Sequence, residues 1–267
     1  MSAAEIKSLM NKGILMYNIG NIDEAITYFE RVLAEDSTNF AALIYKGMIL
    51  EREGREDDAR KHFDRLITIN PQDLFLLYER GILLFDLQNY AEAIRYFEII
   101  LENNSPDKQA LTFKGLILAA LENFSEAIDY YNKALEIDPT DTVVLVNKGI
   151  SLNYLCYTNE AISCYNKALE LNPDESAALT QKGIALSKFG AYSEAIGYID
   201  KALQINPYDD AALTWKGKYL ETQKDDLYAA IRYYNKALEI TPQDHIIKSK
   251  KRIILRKILE GEFQESY

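Results

Sequence analysis

Apolar side chains recur along this chain at three- and four-residue spacing, and that pattern itself repeats. Leu9, Leu43, Leu77, Leu111, Leu145, Leu179 and Leu213 each stand four residues before a glycine: Gly13, Gly47, Gly81, Gly115, Gly149, Gly183 and Gly217, at a period of 34. Twelve residues after each of the first six glycines comes an alanine: Ala25, Ala59, Ala93, Ala127, Ala161 and Ala195. In the seventh copy it is Ala230, thirteen after Gly217, so one residue is inserted near Lys224–Asp226. Four residues beyond each alanine is a large apolar side chain: Phe29, Phe63, Phe97, Tyr131, Tyr165, Ile199 and Tyr234. Residues four apart share one helix face, so each copy predicts two amphipathic helices. No alternating strand pattern competes.

Start and stop signals agree with that reading. All six prolines lie between copies, at Pro71, Pro106, Pro139, Pro173, Pro207 and Pro242. Asp73, Asp141, Glu175 and Asp209 follow at one phase and are placed to cap the next first helix, the Glu more weakly. Ser2 with Glu5, Asn21 with Glu24, Asn89 with Glu92, and Asn123 with Glu126 have the form of capping boxes. The repeated Gly and Ala are small, which lets paired helices approach closely.

A helix–turn–helix unit of 34 residues carrying these Gly, Ala, aromatic and Pro sites resembles the tetratricopeptide repeat. The chain departs from the usual signature in having Leu where that family has Trp, and Met16, Leu50, Leu84, Leu118, Leu152, Leu186 and Leu220 where it has Tyr. The resemblance covers about residues 6–244. It implies an all-α fold, a right-handed α-solenoid superhelix of antiparallel helix pairs. The expected domains are seven repeats within 1–244 (about 6–39, 40–73, 74–107, 108–141, 142–175, 176–209 and 210–244), a capping helix over 245–260, and a tail over 261–267.

The last helix is expected to open at Asp244 and to end before Gly261. Ile246, Ile247, Ile253, Ile254 and Ile258 form its apolar stripe, with Lys248, Lys250, Lys251, Arg252, Arg256 and Lys257 opposite. Solenoid ends need a polar outer face, so capping is its expected role. A basic amphipathic helix also suits an acidic lipid surface or partner.

Charge narrows the partners. The chain has 30 Lys+Arg against 41 Asp+Glu, a net −11. From residue 245 onward six basic residues face three acidic ones, or +3, which leaves −14 on the rest. That surface repels phosphates, so no nucleic-acid partner is expected. No apolar run is long enough to cross a membrane. Met1-Ser2-Ala3-Ala4-Glu5 lacks the basic and apolar regions of a secretory leader. Two cysteines build no disulfide framework, and a cytoplasmic location is expected.

Candidate chemistry is sparse. His62 and His245 are far apart in the repeat count, and neither has a nearby Cys. Cys156 and Cys164 are too few and too widely spaced for a metal site and are expected to be buried, inert thiols. No phosphate-cradling glycine loop and no acid–base carboxylate pair stands out. The expectation is a non-enzyme with no metal and no cofactor.

The resemblance implies that first helices line a binding groove. Helical geometry places the positions six, three and two before each Gly, and one, four and five after it, away from the packing face. The groove candidates are Tyr45, Phe75, Tyr78, Phe85, Phe113, Asn147, Tyr154, Gln181 and Trp215. The N-terminal half reads as apolar and aromatic, the C-terminal half as polar. Some members of the family clamp the acidic tail of heat-shock chaperones with two Lys, two Asn and an Arg over three first helices. Here only Asn147 has the right type in the middle of the stack, among Thr112, Leu116, Ala177 and Gln181, so those tails are not expected to bind. Lys12, Lys46, Arg80, Lys114, Lys148, Lys182 and Lys216, each just before a Gly, are expected to lay their stems along apolar surface.

These features point to an adaptor that holds a peptide or helix of a protein partner in its groove. The alternatives are a self-associating structural protein, forming a homo-oligomer, and a carrier of an apolar small ligand. Partner identity and pathway are not legible.

Overall fold

A computed structural model of the chain describes residues 2–69, 74–103 and 106–264. Among them are fifteen helices and no strand: α1 (Ala3–Asn18), α2 (Ile22–Glu35), α3 (Phe40–Arg52), α4 (Glu56–Ile69), α5 (Leu74–Asp86), α6 (Tyr90–Asn103), α7 (Lys108–Ala120), α8 (Phe124–Ile137), α9 (Thr142–Tyr154), α10 (Thr158–Leu171), α11 (Ser176–Lys188), α12 (Tyr192–Ile205), α13 (Asp210–Gln223), α14 (Leu227–Ile240) and α15 (His245–Gln264). From α1 to α4 and from α6 to α15 each helix packs on its chain neighbours, as in an α-solenoid of helix pairs. The chain divides into two compact units, Met1–Leu83 and Leu84–Tyr267.

Within a pair the glycine meets the large side chain sixteen residues later, or seventeen in the last pair with its inserted residue. The ring of Tyr131 lies against Gly115, that of Phe29 against Gly13, and that of Tyr234 against Gly217. Alanine completes the contact: Ala25, Ala127, Ala161, Ala195 and Ala230 are fully buried. In the first unit Leu9, Met10, Ala25, Phe29 and Val32 form one core cluster, and Leu43, Leu50, Ala59, Phe63 and Leu66 another. The second unit repeats the scheme around Tyr131, Tyr165, Ile199 and Tyr234.

The caps sort into those that form and those that do not. Ser2 and Glu5 make a full capping box, with Glu5 N donating to Ser2 Oγ at 3.3 Å and Ser2 N to Glu5 Oε2 at 2.7 Å. Asp141 and Asp209 accept from the backbone N of Val144 and Ala212, at 3.1 and 2.9 Å. Asp244 opens α15 by accepting from Ile247 N at 2.9 Å. Asp73 lies outside the described residues. Asn21 and Asn123 make no side-chain cap. The Asn21 amide donates to the Glu24 carboxylate instead, at 2.7 Å.

Between the helices of each pair the chain turns through a left-handed residue. Gly20, Gly54 and Gly190 supply it with φ of 82°, 75° and 75°, but Gln88, Glu122 and Cys156 adopt φ of 61°, 63° and 65° without glycine's freedom. Tyr157 N donates to Leu152 O at 2.9 Å and Cys156 N to Asn153 O at 3.2 Å, the two bonds of a Schellman turn. In the seventh pair the inserted residue lengthens the turn, and Asp225 takes the left-handed place at φ 50°. Cys156 is therefore exposed and Cys164 half-buried, contrary to the expectation of two buried thiols.

The last helix also differs from its expectation. It runs to Gln264, past Gly261. Ile247 and Ile254 are buried against Leu213, Ala230 and Tyr234, with Ile258 beside them. Ile246 and Ile253 of the expected stripe are exposed, as are Leu255 and Leu259.

Candidate groove formed by the first helices

In the second unit α7 touches α9, α9 touches α11, and α11 touches α13, each past the one helix between them in the chain. Second helices of successive pairs make at most marginal contact among the described residues. The first helices therefore line the closer-packed, inner side of that unit. In the first unit α1 and α3 make the same contact.

Tyr45 in the first unit is half-buried. Its ring stacks on Phe29 at 5.1 Å between centroids and 11° between planes, and meets Tyr17 edge-on at 5.4 Å. Tyr78 is half-buried too. The side chain of Phe75 lies outside the described residues.

In the second unit Phe113 repeats the role of Tyr45. It stacks on Phe97 at 4.9 Å and 1°, and Phe85 meets it edge-on at 5.9 Å. The residue two before the glycine thus covers the core ring of the preceding pair, sixteen residues earlier. Such aromatic pairs contribute about 0.5–1.5 kcal/mol beyond burial. Phe113 and Tyr45 each use one face for the core and leave part exposed.

The other candidates diverge. Asn147 is half-buried and donates to Val143 O of its own helix at 2.9 Å. Gln181 is half-buried. Tyr154 is 66% exposed and stacks on Phe124 at 4.5 Å and 3°. Trp215 is a core residue rather than an open anchor. It is buried with Ala195, Ile199 and Ala212, and its Nε1 donates to Ser187 Oγ at 3.1 Å. The cause is Ile199, which is smaller than the aromatic residues at its phase and leaves room for the indole.

The polar character expected of the C-terminal half also needs correction. Ile150 and Ile184, each one residue after its glycine, are half-exposed and continue the apolar position of Leu116 in a row over α7, α9 and α11. Val143 adds a side chain 56% exposed. Only at α13 does a charge, Lys218, take the position. Reading that one phase in all copies would have found the row.

Polar cross-links between successive first helices were not foreseen. Lys188 Nζ donates to Asn153 Oδ1 at 2.8 Å and to its carbonyl at 3.1 Å. Thr180 Oγ1 donates to Asp209 Oδ2 at 2.7 Å. Lys108 Nζ lies 2.9 Å from Asp138 and 2.7 Å from Asp141. The partners are 29 to 35 residues apart, a separation at which only stacking of repeats decides contact.

Chemistry for catalysis is not gathered on this surface. Among the described residues no group of three or more His, Cys, Asp and Glu is placed to hold a metal ion. Burial holds the His62 imidazole below its ordinary value, helped by Lys46 and Arg65. No described helix is long and apolar enough to cross a membrane.

The tetratricopeptide repeat profile matches residues 10–73, 78–142, 158–210 and 211–244. The chain belongs to the tetratricopeptide repeat family. No curated protein matches it. A tetratricopeptide repeat (TPR) protein from Parabacteroides merdae ATCC 43184 is similar in structure, with a TM-score of 0.75 and 18% identity over 95% of this chain and 100% of that one. TTC0263, a thermophilic TPR protein in Thermus thermophilus, reaches 0.60 at 21% identity over 68% of this chain and 98% of its own. YrrB, a TPR protein with an unusual peptide-binding site, reaches 0.52 at 22% identity over 70% and 97%. At these identities the likeness is one of fold.

Proposed function

We propose that this TPR chain is a non-catalytic scaffold that holds an extended or helical segment of another protein against its first helices. The observation that carries the reading is the row of half-exposed apolar side chains Phe113, Leu116, Ile150 and Ile184, flanked by exposed Val143 and Tyr154. A contiguous apolar strip on an inner solenoid surface is an interaction site by its physics. Aromatic anchors such as Phe113 and Tyr154 give contact area at low entropic cost. YrrB shows that a protein of this fold takes a peptide.

Site-specific photo-crosslinking tests the surface. A benzophenone amino acid at Leu116, Ile150 or Tyr154 should trap one defined protein in a lysate, and the same group at Tyr208 or Ile205 should not. Trapping that is equal at all five positions would remove the groove reading.

Self-association is favoured by a separate observation. Leu15 and Ile19 of α1 hold the phase at which α15 buries Ile254 and Ile258, yet they are 55% and 65% exposed. Light scattering that gives one chain mass across a hundredfold concentration range would exclude this second reading.

A further inference from the structure

The base before the packing glycine meets an acid at one fixed spacing in three copies. Lys46 Nζ lies 2.8 Å from Glu30 Oε1, and Lys114 Nζ lies 3.0 Å from Glu98 Oε1. Lys216 pairs with Asp200. Each acid is sixteen residues earlier, on the second helix of the preceding pair. A tyrosine closes the other side, with Lys114 4.6 Å from the Tyr130 centroid and Lys216 5.0 Å from that of Tyr233. At these three positions the ammonium group ties one pair to the next.

At Lys182 the acid is missing. The residue sixteen earlier is Asn166. Tyr198 still stands over the ammonium, 4.2 Å from the ring centroid, and its hydroxyl accepts from Lys182 Nζ at 2.7 Å. An ammonium has three donors, and among the described residues no carboxylate accepts from Lys182. Asn166, Glu170, Pro173, Lys182, Tyr198 and Lys201 line an open notch of about 350 Å³. Lys201 stands at its rim, 3.1 Å from Asp174 and 2.6 Å from the Pro173 carbonyl. Glu170 makes no ion pair among the described residues.

We propose that this notch binds an oxyanion, a carboxylate or a phosphate, with one oxygen placed on Lys182 as Asp200 is placed on Lys216. Asparagine suits the task twice. It removes the internal charge that would occupy the lysine, and its amide offers a donor where the acids offer only acceptors. Charge-assisted bonds from Lys182 and Lys201 supply the rest. The Asn in place of an acid recurs one pair earlier, where Asn132 stands sixteen before Lys148 and Lys148 makes no hydrogen bond or ion pair among the described residues, although Cys164 stands there in place of a tyrosine. The notch at Lys182 is lined mostly by α10 and α12, both second helices, so the inference is independent of the groove.

The test restores the missing acid. Backbone and Asn side-chain amide shifts of the full chain would be followed by NMR during titration with sodium phosphate, at ionic strength held constant with chloride. Saturable shifts at Asn166 and Lys182 are expected. Asn166→Asp should fold with an unchanged helical spectrum, because it rebuilds the Asp200–Lys216 pair, and should weaken phosphate binding at Lys182 at least tenfold. Asp200→Asn should open an equivalent site at Lys216. A tetraglutamate peptide in a parallel titration separates the two sources: saturation below the phosphate midpoint identifies acidic side chains, and saturation by phosphate alone identifies a free anion. Shifts that never saturate, or equal affinity in wild type and Asn166→Asp, would overturn the proposal.

Discussion

The bare Cα of Gly115 faces the ring of Tyr131 so closely that a Cβ there would lie 2.5 Å from Cε1. Tyr131 is fully buried and cannot swing aside. Gly115→Ala gains about 1 kcal/mol of helix propensity but forces overpacking that costs about 1–3 kcal/mol. Net destabilisation of about 1 kcal/mol is expected from urea denaturation. Gly197, inside α12, is the control. A methyl group added there would meet nothing within 4 Å, so Gly197→Ala should stabilise by about 0.5–1 kcal/mol.

Two buried phenols lack partners among the described residues. The hydroxyls of Tyr131 and Tyr165 make no hydrogen bond there, and burial pushes both well above the ordinary phenol range. Removing an unsatisfied polar atom from a core is neutral to favourable. Tyr131→Phe and Tyr165→Phe should hold or raise stability, by up to about 1 kcal/mol. Tyr234 is different, since its hydroxyl donates to Glu221 Oε2 at 3.0 Å. Tyr234→Phe should cost about 1 kcal/mol. A thermal melt that ranks Tyr131→Phe below Tyr234→Phe would contradict this account.

The left-handed turns predict a second asymmetry. A non-glycine residue at positive φ costs about 1 kcal/mol, which the turns at Glu122 and Cys156 accept and the turn at Gly54 avoids. Cys156→Gly and Glu122→Gly should each stabilise by up to about 1 kcal/mol, and Gly54→Ala should destabilise by a similar amount. Guanidinium midpoints read both directions.

The Lys108 network gives a pH dependence. Lys108 holds the Asp138 carboxyl down to about 2, with Thr140 contributing further hydrogen bonds. A carboxyl depressed by folding adds stability above its unfolded value of 3.8, and that stability is lost as pH falls through about 2. Lys108→Met should lower the melting temperature at pH 6 and should flatten its fall between pH 4 and 2. An unchanged acid profile would show that the pair is solvated out.

Some of this was legible because it is local and repeated. The Gly–aromatic spacing of sixteen, the Leu four residues before each Gly and the caps at Asp141, Asp209 and Asp244 all act within one helix or one helix pair. Local geometry gives them the same outcome in most copies, although Glu175 forms no side-chain cap and Ile199 takes the ring's place beside Gly183. The repeated base was also read as structural, yet its partners were out of reach. Glu30 for Lys46 and Asp200 for Lys216 belong to the preceding pair, and only stacking brings them together.

Candidate groove residues were less legible for the same reason. Tyr45, Phe113 and Trp215 share the position two before the glycine, but what each meets depends on the preceding core side chain. Tyr45 and Phe113 stack on Phe29 and Phe97 and stay half-exposed. Trp215 meets the smaller Ile199 and is drawn into the core. Helical phase alone assigns all three to one surface.

By itself, then, the amino-acid order determined the repeat, the helix pairs and the close contact of Gly with an aromatic ring, because those depend on spacings shorter than one copy. Tertiary structure decided which side chains remain open: Leu116, Ile150 and Ile184 on the inner side, and Lys182 without an acid. Openness depends on the volume and charge of residues in the neighbouring pair, and no single helical face encodes it.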